Sequence, residues 1–175
     1  MPRYVTLLRA INVGGHTVEM KRLQRLFEAL GFDDVTTFIA SGNVVFDATG
    51  APRALEKRIA SHLERSLGYA VATFLRTPGE LAAIVGHRAF ATPAPGSTLY
   101  VGFLAARPTA TAERQVQTLA TDIESFRIHD RELYWRSTRT IGTSTVSGAK
   151  LEKALGQPTT LRKSTTVEKL ASRFA

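Results

Sequence analysis

The sequence predicts an α+β fold: two ferredoxin-like plaits in tandem, the second less regular than the first. Three observations carry this. The order β-α-β-β-α-β can be read twice along the chain, which is the split βαβ plait. Helical stretches follow the 3.6-residue apolar period and close on glycine, whereas strand stretches are short and rich in β-branched and aromatic residues. A segment containing Pro93, Pro95 and Gly96 separates the two runs. The expected division is 1–76 for the first plait, 77–97 for a short helix and linker, and 98–175 for the second plait with a terminal helix. The repeat is one of element order only; the residues of the halves do not match.

Arg3–Asn12 reads as the first strand. Val5, Leu7 and Ile11 point one way and Tyr4, Leu8 and Ala10 the other, so both faces are apolar and the strand is expected at the sheet centre. Arg9 falls on the Val5/Leu7/Ile11 face, where a guanidinium needs a partner. Met20, Leu23, Leu26, Phe27 and Leu30 follow a helical period ending at Gly31. Val35–Ile39 and Val44–Phe46 are strands joined by the turn Ala40-Ser41-Gly42-Asn43. Pro52 opens a helix carrying Leu55, Ile59, Leu63 and Leu67, closed by Gly68, and Tyr69–Leu75 is the fourth strand. In this topology the end of strand 1 and the turn joining strands 2 and 3 share one sheet edge. Asn12–Gly15 is therefore expected beside Ser41-Gly42-Asn43.

Thr77-Pro78-Gly79-Glu80 is a capping box with proline at the first helical position, opening a helix to about Val85. The second half reads as a strand over Thr98–Ala105 and a helix over Pro108–Thr121 with Val116, Leu119 and Ala120 inward. A hairpin of Glu124–His129 and Glu132–Arg136 turns at Asp130-Arg131. A helix over Lys150–Leu155 closes on Gly156, and a short strand follows over Thr159–Arg162. Thr165-Thr166-Val167-Glu168 reads as a second capping box before a terminal helix with Leu170 and Phe174 inward.

The 175 residues suffice for a real core. With no cysteine, disulfides, thiolate metal sites and cysteine catalysis are excluded. The opening MPRYVTLLR holds no apolar run of signal or membrane length, so no membrane association and a cytoplasmic location are expected. The net charge of +8 is uneven: +3 over residues 1–76, zero over 77–137 and +5 over 138–175. An anionic partner at the basic tail is one account of this; a solubilising surface is the other.

The segments LLRAINVGG, MKRLQRLFEALGF, TFIASGNVVF and LEKALGQPTTLRKSTTVEKL together resemble the bacterial family of unknown function numbered 1697, over nearly the whole chain. That resemblance implies two ferredoxin-like subdomains and no established activity. It marks Arg9, Asn12, Gly14, Gly15, Ser41, Gly42, Asn43, Arg162, Thr166 and Lys169 as characteristic positions. The chain departs from the pattern at Ala10, where glycine is usual, and at His16, where a basic residue is. Its loop is a residue shorter than in many members. Lys163 replaces an asparagine, Ser164 a tryptophan, and Thr145 a frequent lysine.

Asn12, Gly14, Gly15, Ser41 and Asn43 would give an edge rich in backbone N–H groups and small polar side chains. The helix that follows aims its N-terminus at that loop, an arrangement that attracts anions. The glycines match neither the Walker nor the dinucleotide fingerprint, so no nucleotide class is implied. The alternative is turn chemistry alone, with glycine supplying positive φ. Arg162 offers a fork for phosphate or carboxylate, and Thr166 with Lys169 lies on one helix face; alternatively these residues only cap and solvate the tail.

No catalytic set is evident. His16, His62, His87 and His129 lack metal spacing, no metal or cofactor is expected, and His62 is expected on a helix surface. His16 alone stands in the glycine loop, placed for acid–base work. Ser41-Gly42 lacks a nucleophile elbow. Asp33, Asp34 and Asp47 are expected in turns with structural roles. Val44-Val45-Phe46 lacks the stacked aromatics of an RNA-recognition plait, and Phe38 is expected in the core. The leading expectation is therefore binding of an anionic, phosphate-bearing small molecule or nucleic acid. An enzyme on a small anionic substrate with Arg9 and Arg162 as clamps, and a protein without a ligand, are the alternatives.

Overall fold

The computed structural model describes residues 1–12, 14–39, 42–91, 94–138 and 144–175. They form β1 (Arg3–Leu8), α1 (Met20–Glu28), β2 (Asp33–Thr37), β3 (Asn43–Asp47), α2 (Pro52–Leu67), β4 (Thr73–Arg76) and α3 (Pro78–Gly86). There follow β5 (Thr98–Phe103), α4 (Ala110–Gln117), β6 (Glu124–His129), β7 (Glu132–Ser137), α5 (Gly148–Leu155), β8 (Thr160–Lys163) and α6 (Ser164–Phe174). Two compact units result: Met1–Ala82 with Leu170–Ala175, and Ala83–Lys169.

Each unit carries a four-stranded sheet of the same order, β2-β3-β1-β4 in the first and β6-β7-β5-β8 in the second. All neighbouring strands described are antiparallel. Helices α1 and α2 serve the first sheet and α4 and α5 the second, so the α+β double plait holds. In the first unit Tyr4, Leu8, Val44 and Phe46 of the sheet share a core with Leu23 and Phe27 of α1 and with Ile59 and Leu63 of α2. Phe32 stacks on Phe46 at 4.4 Å between ring centroids. In the second unit Leu133 and Trp135 of β7 pack with Phe126, Val116 and Leu151.

Punctuation residues act as their chemistry requires. Pro52 starts α2 and Gly68, at φ +83°, ends it; Gly156, at φ +70°, ends α5. The Thr77–Glu80 box is closed from both sides: Thr77 N–H donates to Glu80 Oε2 at 2.7 Å, and Glu80 N–H donates to Thr77 Oγ1 at 3.2 Å.

Several expectations are corrected. β1 stops at Leu8, four residues early, because Ala10 takes a left-handed conformation at φ +57° and cannot extend the strand. Arg9 therefore lies beyond the strand rather than on its face. β2 covers Asp33–Thr37, with its register shifting between Asp33 and Thr36, so Asp33 and Asp34 are strand residues. Asp47, in β3, is held by Arg3, whose Nε and Nη2 donate to it at 2.7 and 2.9 Å; Asp34 lies 3.5 Å from the same guanidinium. β4 begins only at Thr73. α4 ends at Gln117, leaving Ala120 exposed. α6 starts at Ser164, straight after β8, so Thr165 lies inside the helix and is not its cap.

Candidate functional site

In the first unit, the end of β1 meets the β2–β3 turn, as the topology requires. Leu8 N–H donates to Gly42 O at 2.9 Å, and Leu7 is in register with Asn43. Gly42 sits at φ +79°, and a Cβ built there would lie 2.9 Å from Ile11 Cγ2 and 3.2 Å from Leu8 Cβ. Only glycine satisfies both the backbone angle and the space. Asn43 is buried, and its Nδ2 donates to Phe38 O at 3.0 Å. Ser41 lies outside the described residues.

The β1–α1 loop is fastened from within. Val18 N–H donates to Asn12 Oδ1 at 2.8 Å. Tyr69 Oη donates to Ile11 O at 3.0 Å, and the His16 ring stacks on Tyr69 at 3.8 Å with planes 21° apart. Arg9, half-buried, donates its backbone N–H to Ala72 O at 2.9 Å. Gly14 and Gly15 are exposed, at φ +66° and +82°, with nothing among the described residues within 4 Å of an added Cβ. The left-handed backbone of Ala10 falls where the family resemblance implies glycine, so the departure keeps the conformation and loses the residue that adopts it most cheaply.

The loop delivers the chain to an open helix end. The Glu19 side chain makes no cap hydrogen bond at the start of α1, and no acidic residue stands in the first turn. The first N–H groups of that helix receive no bond from the N-cap side chain. Lys21 and Arg22 in the same turn are exposed.

The candidate tail residues belong to the second unit. Arg162 is 7% exposed, and its Nη1 donates to Thr160 Oγ1 at 2.8 Å and to Leu161 O at 3.0 Å. Burial pushes its pKa down to about 10, which leaves the guanidinium charged at neutral pH. Thr166 is half-buried on α6 and Lys169 is exposed. Among the other expectations, Phe38 is half-buried, edge-on to Phe174 at 5.7 Å with the Arg173 guanidinium over its ring. His62 is not a simple surface residue: it is half-buried, and its Nε2 is enclosed with no hydrogen-bond partner among the described residues. No group of three His, Asp or Glu side chains among the described residues could hold a metal ion. No helix of the described residues is long and apolar enough to cross a membrane.

One feature escaped the sequence. On the second sheet, His87 stacks on His129 at 4.1 Å and lies 5.1 Å from Tyr134. Burial, then the charge of His129, lower the His87 pKa against the opposing pull of Glu132. The lone signal was Tyr134 itself, a polar-tipped side chain between Leu133 and Trp135 in a run apolar on both faces.

Residues 1–134 match the family model described as "Protein of unknown function (DUF1697)". The chain belongs to that family. The match ends within β7, so the tail motif with Arg162, Thr166 and Lys169 lies beyond it, and the resemblance is narrower than the motifs implied. Among solved structures, the DUF1697 chain described here is similar to the conserved bacterial protein SP0830 from Streptococcus pneumoniae. That likeness has a TM-score of 0.77 at 20% identity, over 99% of each chain, and shows the fold. No curated protein matches this family member.

Proposed function

We propose that this protein binds an anionic, phosphate-bearing ligand at the sheet edge formed by Gly14, Gly15, Gly42 and the start of α1, in a cytoplasmic setting. One observation carries the reading: a helix N-terminus without a side-chain cap follows an exposed double glycine. Such an end offers backbone N–H groups and a positive dipole to an anion. Arg9, Lys21 and Arg22 add positive charge around the loop. Asn12, Gly42 and Asn43 then act as its frame, since their contacts are spent on holding the two turns. Arg162, Thr166 and Lys169 of the second unit are candidate anion contacts of their own, with Lys169 the most accessible of the three. A nucleic acid is the version favoured by the +8 charge, and it predicts binding that falls steeply with salt.

The test is an NMR titration of the ¹⁵N-labelled chain with inorganic phosphate, and separately with short single-stranded RNA, across a salt series. Expected are shifts at the Gly14, Gly15 and first α1 amides that are weakened by Arg9→Ala, while Lys169→Ala tests the second unit's tail separately. Absence of shifts at low salt with both probes would overturn the reading.

A further inference from the structure

The second sheet carries a pocket of ≈ 50 Å³ that owes nothing to the anion-binding loop. Tyr134 of β7 stands on the face opposite Leu133 and Trp135, across from its register partner Val101 of β5. Leu99 of β5 lies on that same face. Ile84 and Val85 from the end of α3, His87, and Ser164, Val167 and Glu168 from the start of α6 complete the lining.

Tyr134 is 1% exposed, and among the described residues its Oη has no hydrogen-bond partner. A buried hydroxyl left unmade is costly, and native proteins rarely tolerate one without a partner or an occupant. Burial and the Glu132 carboxylate hold the phenol in its protonated form, so it is a donor. The remaining walls are aliphatic apart from His87, Ser164 and Glu168. No cation lines the pocket and one carboxylate does, so an anion is disfavoured there. An apolar cavity of roughly 150 Å³ accommodates the six carbons of benzene, so this one encloses about two heavy atoms, a C=O group whose molecule continues past the pocket's mouth.

We propose that this pocket takes a small uncharged carbonyl group, best a carboxamide, whose oxygen accepts from Tyr134 Oη while its N–H faces the Glu168 carboxylate. The carboxamide matches both polar groups, whereas a ketone meets the first only. A carboxylate of the same shape brings a second negative charge to Glu168. The occupant is either a free small amide or the end of a longer molecule entering between the exposed residues Val85 and Glu168.

Acetamide, acetone and acetate are four-heavy-atom isosteres that separate these demands. Each is titrated into the full chain with ¹³C-labelled methyl groups, following Ile84, Leu99, Val101 and Val167. Acetamide is expected to bind most tightly, acetone next, and acetate not at all. Tyr134→Phe keeps the ring and removes the hydroxyl, and is expected to weaken acetamide about tenfold. Glu168→Gln is expected to narrow the gap between acetamide and acetate, and serves as the second variant should Tyr134→Phe fail to fold. Equal response to the three probes, acetate binding best, or no methyl shift with any of them would each overturn the proposal. So would a crystal structure in acetamide with only an ordered water on Tyr134 Oη.

Discussion

The two plaits share a strand order but finish their helices differently. In the first unit, β1 reaches α1 through the long loop 9–19, and the helix begins at Glu19 without a side-chain cap. In the second, β5 reaches α4 through the shorter segment 104–109, and Thr109 Oγ1 accepts from Ala112 N–H. The later helices repeat the contrast: α2 starts with no side-chain cap bond, with Pro52 following Ala51, whereas Ser147 caps α5 through Lys150 N–H. One topology thus carries two forms of the same helix start. Where the cap is present, the N-cap side chain satisfies the helix end; at α1, where it makes no such bond, a glycine loop precedes the helix. The difference lies in a few side chains, not in the fold.

The largest expected effect comes from the glycine that frames the open end. Gly42→Ala drives a Cβ against Ile11 and Leu8 in a left-handed conformation and should destabilise the chain by about 3 kcal/mol or more. Urea denaturation measures this, and a loss under 1 kcal/mol would mean that the turn is pliable.

The next effect exchanges the caps. Glu19→Ser gives α1 the cap that α4 already has, and should stabilise by about 1 kcal/mol while weakening phosphate binding. Thr109→Ala does the reverse for α4, removing about 1 kcal/mol. Thermal unfolding and the phosphate titration read both. If Glu19→Ser leaves binding untouched, the open end of α1 is not the determinant.

The smallest effect distinguishes the units by acid. The Arg3 guanidinium, through its hydrogen bonds, holds Asp47 below its ordinary 3.8, so that stability is present above pH 3.8 and is lost as pH falls below it. Arg3 is half-exposed, so the pair is worth no more than about 1 kcal/mol. The lowered His87 favours its neutral form in the folded state, so its contribution is full above pH 6.5 and fades as pH falls below that value. His87→Gln should flatten the fall in stability that sets in below pH 6.5 and leave the Asp47-dependent acidic limb unchanged; unfolding midpoints across pH test this.

The fold was legible because proline, glycine and apolar spacing mark element limits locally. Pro52, Gly68, Gly156 and the Thr77–Glu80 box all behave as their chemistry dictates. Ala10 misled because alanine carries no hint of positive φ, so β1 read four residues too long. Thr165 misled because Thr-x-x-Glu signals a cap only where the preceding chain is not already a strand running into the helix. The meeting of β1's end with Gly42 followed from topology, with no contact information. The Tyr134 pocket could not be read this way: its walls come from residues 84–87, 99–101, 134 and 164–168, which have no shared sequence pattern.

The shifted register of β2 has a consequence for association. β2 is an edge strand of the first sheet, with peptide groups on its outer side that another chain could pair with. Its ladder slips between Asp33 and Thr36, Asp34 sits at φ +48°, and both carboxylates are exposed. An incoming strand would find a kinked template lined with negative charge. The same short segment that anchors Arg3 thereby guards the sheet against edge-to-edge aggregation.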